Sequence, residues 1–332
     1  MGQPLPPSVE TYPLAGEGVV NWDYTTSHAQ LTRLYENAKR DQWNAATALA
    51  WDTPVDPDSE ILSDLGISIF GTPLWERLDE RTRLELRRQQ LRYTLSQFIH
   101  GEQLALVTAS QLVECTPQLE SKYYAATQVV DEARHVEVFV RYLGQKLDMP
   151  VFPAAPLLRG IFAELIKSPE WDIKYLGVQV LLEGLALSSF HVIHDSCQEP
   201  LLKAVLRYVM RDEARHVAFG NIALRGLYAD LSERERRERE EIVLAVSDMM
   251  FHRLKGREMY EAAGLDGEEC DALGDRSEVI QTFRRGIFVR IVPAIKKIGL
   301  LTPRVAESYA RLGVLEFQDC KTADEELFEQ EP

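Results

Sequence analysis

Apolar residues along this chain recur every three or four positions, and no stretch alternates long enough to suggest a sheet. The pattern predicts an all-α protein. Between Ser27 and Ala50 the spacing of Leu31, Leu34, Tyr35 and Ala38 marks a first helix. Prolines and aspartates from Trp51 to Asp58 interrupt it. Long helices are predicted at about 76–115, 118–147, 169–197, 200–229, 232–262 and 277–298, and a shorter one at about 303–316. Their starts carry chemical marks. Thr72-Pro73, Ser168-Pro169 and Thr302-Pro303 each place a capping hydroxyl before a proline at the first helical position. Ser232 and Glu235 form a capping box. A proline-rich loop at 148–156 divides the first long pair from the second. Residues 1–25 read as an irregular N-terminal arm and 321–332 as an acidic, flexible tail. The stretch between, 26–320, reads as one helical domain whose central bundle covers about 76–230.

One hexapeptide occurs twice: Asp131-Glu-Ala-Arg-His-Val136 and Asp212-Glu-Ala-Arg-His-Val217. Each contains Glu-x-x-His, Glu132 with His135 and Glu213 with His216. On a helix, three positions return a side chain to nearly the same face, so each motif offers a carboxylate and an imidazole to one point. Thirty residues before Glu132 stands Glu102, and thirty before Glu213 stands Glu183. Both lie in otherwise apolar stripes. A glutamate there is costly unless it is paired or bound to metal. A single Glu-x-x-His is ordinarily a surface ion pair. Two identical ones, each preceded at equal distance by a glutamate in an apolar stripe, are a different matter. Two helical hairpins packed together bring four carboxylates and two imidazoles to one centre, the ligand set of dinuclear carboxylate sites in helical bundles. Such thiolate-free ligation suits iron or manganese better than zinc. Each half supplies half of the set, which is why the halves are not separate domains.

Composition narrows the partners. The chain has 332 residues, and 37 basic against 52 acidic side chains give a net charge of −15. That speaks against nucleic acid and against an anionic membrane surface. The four cysteines, at 115, 197, 270 and 320, form no Cys-x-x-Cys pair, so free thiols in a reducing compartment are expected. There is no signal-peptide pattern and no uninterrupted apolar run of about eighteen residues. The expected location is the cytoplasm. No dinucleotide fingerprint or iron–sulfur cysteine pattern is present, so any reducing electrons that the chemistry calls for are expected from an external donor, a ferredoxin or reductase.

At the residues of the repeat the chain resembles the ferritin-like superfamily. The nearest branch holds ribonucleotide reductase small subunits, multicomponent monooxygenase hydroxylases, acyl-carrier desaturases, ligand-binding oxidases and arylamine N-oxygenases. The resemblance covers about 90–230, and more loosely the segment Glu36 to Trp43. It implies a ferritin-like four-helix bundle carrying the metal site, with flanking helices outside it. By resemblance, Glu102, Glu132 and His135 would bind one iron, and Glu183, Glu213 and His216 the other, with one or two glutamates bridging. Asp131 would reach across to His216 and Asp212 to His135, with Arg134 and Arg215 pairing with them. Manganese–iron fits the same ligands. The implied activity is a non-haem di-iron oxygenase that uses dioxygen to hydroxylate, N-oxygenate or desaturate a small organic substrate. A radical-generating or ligand-binding oxidase, an iron-storage or peroxide-scavenging protein, and a metal-free helical scaffold are the alternatives. A homodimer is the family's usual assembly.

Three positions depart from named relatives. Phe139 stands where reductase subunits carry a radical tyrosine. Leu187 stands where the monooxygenases carry a threonine, and Val209 where the best-known arylamine N-oxygenases carry an extra histidine ligand. Residues one or two helical turns from the ligands are expected to line a substrate or oxygen cavity: Phe98, Ala105, Leu106, Gln128, Phe139, Gln179, Ala186, Leu187, Phe190 and Val209. Of these, Gln128 and Gln179 are polar on apolar faces and need partners. His191 and His194 are expected to be ordinary hydrogen-bonded histidines rather than a relay. Tyr123 and Tyr124 are expected to pack. The mixed-charge run 233–241 is expected to be a solvated helix face.

Overall fold

In the computed structural model, residues 10–12, 14, 16–252 and 255–329 are described, and every regular element among them is helical. In chain order these are α1 (Ala29–Arg40), α2 (Pro73–Arg77), α3 (Glu80–Cys115), α4 (Leu119–Arg141), α5 (Pro156–Lys167), α6 (Trp171–Lys174), α7 (Glu183–Ser196), α8 (Pro200–Leu224), α9 (Glu233–His252), α10 (Arg257–Ala262), α11 (Gly267–Gly274), α12 (Glu278–Gly286), α13 (Ile291–Lys297), α14 (Pro303–Leu312) and α15 (Ala323–Glu329). A π-helical stretch, Tyr175–Leu182, joins α6 to α7 without a break, and a π-helical turn, Tyr142–Lys146, ends α4.

Four helical rods make the bundle: α3, α4, the run from α6 to α7, and α8. Each carries apolar residues at both ends and polar ones in its middle. Leu91, Leu95 and Ile99 of α3, Val138 and Phe139 of α4, Phe190 of α7, and Leu202, Val205 and Val209 of α8 share one buried cluster. Leu112, Tyr124, Tyr175, Leu176, Val180, Phe219 and Ile222 belong to another. All four rods pass from one cluster to the other at Glu102, Glu132, Glu183 and Glu213. A polar layer therefore separates two apolar cores. The first cluster is closed by the loop residues Ala45, Leu49, Trp51, Ile61 and Leu62, the second by α1, α9, α13 and α14.

Several predicted helices change their bounds for local reasons. The first stops at Arg40, because Asn44 accepts the Ala46 amide and holds a turn. The predicted helix from 76 starts at Glu80, where Asp79 caps it by accepting from Thr82. The helix expected at 200–229 ends at Leu224, before Gly226 in the left-handed region. The stretches 232–262 and 277–298 are each broken in two. Residues 156–167, given no element by the pattern, form α5.

The acidic tail needs a larger correction. Ala323–Glu329 is a helix packed on α8, with Thr322, Ala323 and Asp324 buried. Asp324 accepts from Asn221, Arg225 and Lys297. Its acids meet basic side chains of α13 and the end of α8, which net charge alone does not reveal. The N-terminal arm is irregular where described, and follows the α3–α4 corner through the Val19 amide to Glu114 carbonyl bond.

The run Trp171–Ser196 is long and apolar enough to cross a membrane by composition, but most of it is buried in the bundle with Glu183 at its middle. Its π-helical part is wider than an α-helix and needs room on both sides. Gly177 provides it toward Leu165 of α5. Gly220 of α8 provides it toward Gln179, where an added Cβ would stand 2.6 Å from the Gln179 Cβ and 3.3 Å from its carbonyl carbon. Gly220→Ala is expected to push the π-helical stretch off α8 and cost about 1–3 kcal/mol. Urea unfolding of the variant beside the parent measures this, and an unchanged midpoint would refute the close approach.

Candidate metal centre

The repeat places its carboxylates and imidazoles in the polar layer. Glu102 comes from α3, Glu132 and His135 from α4, Glu183 from the start of α7, and Glu213 and His216 from α8. All six are buried. Ligand atoms of Glu102, Glu132, His135 and Glu213 lie within 4.8 Å of one another, and so do those of Glu132, Glu183 and His216. The Nδ1 atom of His135 is 3.1 Å from Glu102 and 3.1 Å from Glu213. His216 Nδ1 is 3.1 Å from Glu132 and 3.4 Å from Glu213. Glu132 and Glu213 thus both stand between the two histidines, in the position of bridges.

The outer nitrogens of the histidines are held crosswise. His135 Nε2 donates to Asp212 at 3.2 Å, and His216 Nε2 to Asp131 at 3.3 Å. Such bonds fix each ring with Nδ1 toward the centre. Arg134 bridges the two aspartates, donating to Asp131 and, at 3.1 Å, to Asp212. Arg215 donates to Asp212 at 2.5 Å.

Two further residues complete this frame, and the motif reading gave them no role. Gln42 donates to Asp131 at 2.9 Å and accepts from Arg134 at 2.9 Å. Trp43 Nε1 donates to Asp212 at 2.7 Å, and its ring lies under the Arg134 guanidinium. The resemblance marked the segment Glu36 to Trp43 without assigning it contacts.

The donor set fits two divalent cations. Glu132 Oε2, both oxygens of Glu213 and His216 Nδ1 are buried without a hydrogen-bond partner. Formal charge makes the same point. Four glutamates and two aspartates face two arginines, leaving four negative charges in a layer with little exposure. Two divalent ions would neutralise them.

Without metal, the protons must redistribute. Burial, reinforced by Glu213, pushes Glu102 well above the usual carboxylate range, and burial with Glu132 does the same to Glu183. Burial opposes a charge on His135 and His216, but Glu102 outweighs it at His135, and Glu132 and Glu213 at His216, so both imidazoles are raised. Burial likewise opposes Glu132, yet His216 and His135 hold its carboxyl below the usual range.

The residues expected to line one cavity fall into separate groups. Phe98, Phe139 and Phe190 pack together, with ring centroids 4.5–5.9 Å apart, beside Ala186 and Val209. Ala105 packs with Leu165 and Val178, and Leu187 with Val217 and Ala323 of α15. Leu106 is half-buried. Gln128 and Gln179 serve the ligands. Gln128 donates to Glu132 at 2.9 Å and to Glu183 at 2.8 Å. Gln179 is best satisfied with its nitrogen toward Glu183, at 2.7 and 2.9 Å. His191 meets the Leu187 carbonyl and His194 meets Asp195, so neither is part of the centre.

A family model described as p-aminobenzoate N-oxygenase AurF matches residues 24–299. Among solved structures, the dimanganese(II) NrdF of Streptococcus sanguinis aligns with a TM-score of 0.54 at 13% identity, over 91% of this chain and 99% of that one. A variant of an R2-like ligand-binding oxidase with a reconstituted Mn/Fe cofactor aligns with a TM-score of 0.50 at 18% identity, over 81% and 93%. These likenesses establish the ferritin-like fold of ribonucleotide reductase small subunits. No curated protein matches the chain.

The raised groups set the pH response. The contributions of His135 and His216 to stability are complete below the unfolded value of about 6.5 and are lost as pH rises through their higher folded values. Glu102 and Glu183 act in the same direction from about 4.3 upward. Glu132 acts the other way, losing its contribution only in acid. Metal requires all of these ligands deprotonated. The metal-free protein is therefore expected to melt at progressively lower temperature from about pH 6 to 9, while the increment given by Mn(II) grows over that range. Thermal scans with and without Mn(II) test this, and an increment that shrinks with rising pH would remove these residues as ligands.

Proposed function

The chain belongs to the p-aminobenzoate N-oxygenase AurF family, and from that premise we propose that it is a non-haem di-iron oxygenase that uses dioxygen to oxidise a small organic substrate. The observation that carries the proposal is the set of orphaned, buried ligand atoms in a layer four charges short of neutrality. Glu102 and His135 would be terminal ligands of one metal, Glu183 and His216 of the other, and Glu132 and Glu213 would serve both. Two irons are the metals we assign, and manganese–iron suits the same oxygen and nitrogen donors. Held there, the metals supply the redox chemistry by which dioxygen is reduced.

The side chains do the rest. Asp131 and Asp212 keep each imidazole turned inward. Gln128 and Gln179 hold Glu183 from outside the layer with neutral donors, so they orient it without adding charge. Phe98, Phe139, Phe190 and Val209 exclude water from the opposite end. Family membership favours N-oxygenation of an arylamine over hydroxylation or desaturation. Val209 leaves the aromatic end without a ligand at the position where the best-known members have a histidine, so six protein side chains would hold the two metals. Electrons would come from a separate ferredoxin or reductase, since the described cysteines are single free thiols. A cytoplasmic homodimer is the assembly we assign.

Anaerobic loading with Fe(II) is expected to give about two irons per chain. Exposure to oxygen with a donor and an arylamine panel is expected to give oxygen uptake and hydroxylamine or nitro product. Asp212→Asn should weaken metal binding about 10–100-fold, because His135 loses its anchor. Zinc alone, or no oxygen uptake after iron loading, would overturn the assignment. A tyrosyl radical without product would shift it to a radical-generating oxidase, and a many-subunit cage to iron storage.

A further inference from the structure

The end of the centre opposite the phenylalanines holds buried polar groups that the ligand layer does not use. From Gln128, one turn back along α4 lies Tyr124, whose ring centroid is 6.5 Å from that of His216. Ser121 is three residues further from the centre. Tyr124 and Tyr175 share one neighbour, Phe219, at 4.5 and 4.9 Å. Tyr175 stands beside the hydroxyls of Ser121 and Thr116. Beyond them, Gln111 and Lys174 both donate to the Ile166 carbonyl, at 3.3 and 3.2 Å. Those two residues, with Cys115 and Glu114, line a surface cleft of about 90 Å³.

The hydroxyls of Thr116, Ser121, Tyr124 and Tyr175 and the side-chain carbonyl of Gln111 are all buried; Tyr175 faces only the Ser121 and Thr116 hydroxyls, and none of the five makes a well-formed hydrogen bond. Among the described residues, the one other buried hydroxyl without a well-formed bond is that of Tyr228, which faces Asp172. An orphaned buried polar group costs about 1–3 kcal/mol. Five such groups lie between the cleft and the ligand layer, on α3, the residue that caps it, α4 and the π-helical stretch, and internal water satisfies groups of this kind, each water bonding two to four of them.

We propose that this file of hydroxyls is a hydrated path that carries protons from the Cys115–Lys174 cleft to the metal layer. The inference rests on the oxygenase reading above, because that reaction consumes protons. For an amine, R–NH2 + O2 + 2e⁻ + 2H⁺ gives R–NHOH + H2O. The O–O bond breaks, one N–O bond forms, and the second oxygen leaves as water. The two electrons come from the external donor, and the two protons must cross the bundle. At the aromatic end the residues nearest the ligands, Phe98, Phe139, Phe190 and Val209, are apolar, and the buried Tyr142 hydroxyl beyond them is already bonded to Glu199. The polar end offers hydroxyls, which pass a proton by rotating and need not ionise. Burial pushes the phenols of Tyr124 and Tyr175 up, in keeping with relay as neutral groups. The path ends on the amides of Gln128 and Gln179, which touch Glu132 and Glu183.

The test has two arms. A high-resolution crystal structure of the iron-free protein is expected to show ordered waters bonded to Thr116, Ser121, Tyr124 and Tyr175, and a dry file overturns the proposal whatever the enzyme does. Single-turnover mixing of the reduced, iron-loaded protein with oxygen then compares the parent with Tyr124→Phe, Ser121→Ala and Thr116→Val in H2O and D2O. Each variant removes a hydroxyl and little volume. The expected result is a slowing of about tenfold or more with a larger solvent isotope effect at unchanged iron content. Unchanged rates and isotope effects in folded, iron-loaded variants overturn proton delivery and leave the oxygenase reading intact. A parent that loads iron but consumes no oxygen overturns that reading and proton delivery with it, and the water structure still decides whether the file is hydrated.

Discussion

Six carboxylates lie in one buried layer of the bundle and face two guanidiniums. Charges of one sign cannot be packed there without compensation, because the interior does not screen them as water does. The rest of the structure answers that constraint. Asp131, Asp212, Arg134 and Arg215 neutralise one another across α4 and α8. Gln42 and Trp43 donate to the same aspartates from outside the bundle. When no metal is present, Glu102, Glu183, His135 and His216 are all raised, the response of a layer short of positive charge. The layer lies buried between two clusters of largely apolar residues, so the compensation has to come from partners of fixed geometry.

The candidate ligands were legible because the sequence repeats them. Glu102, Glu132 and His135 follow the same spacing as Glu183, Glu213 and His216, and helical periodicity puts each set on one face. The crosswise aspartates were reachable through resemblance, and the structure places them at hydrogen-bond distance from the opposite histidines. Gln42 and Trp43 were not readable in the same way. Their partners lie 89 and 169 residues away, and no local pattern encodes a contact at that separation. The π-helical stretch was equally hidden. A run whose one strongly polar side chain is Gln179 has no polar stripe to reveal its period, and only the close approaches at Gly177 and Gly220 hint at its width. The docked helix α15 was misread as tail because composition records its acids and not the basic residues they meet.

The two ends of the layer differ in kind, and this is where the chain has freedom. The polar layer is closely coupled: Glu132 and Glu213 each meet both histidines, and Asp131 and Asp212 each meet one histidine and both arginines. The ends are not bound in that way. Val209 illustrates the point. It sits one turn from Glu213 in the cluster of Phe139 and Phe190, where a histidine would bring a polar ring into apolar surroundings unless a metal took it. Valine there seals the end. At the other end, Gln128, Tyr124 and Tyr175 keep polar atoms within reach of the ligands while Phe219 holds the two tyrosines in place. A dry end suits the meeting of an apolar substrate with a reactive centre, and a polar end suits the traffic of protons and product water. Separating the two along one bundle axis lets water and protons enter at one end without wetting the other. Sequence changes that alter the oxidation outcome are therefore to be sought at these ends rather than among the ligands.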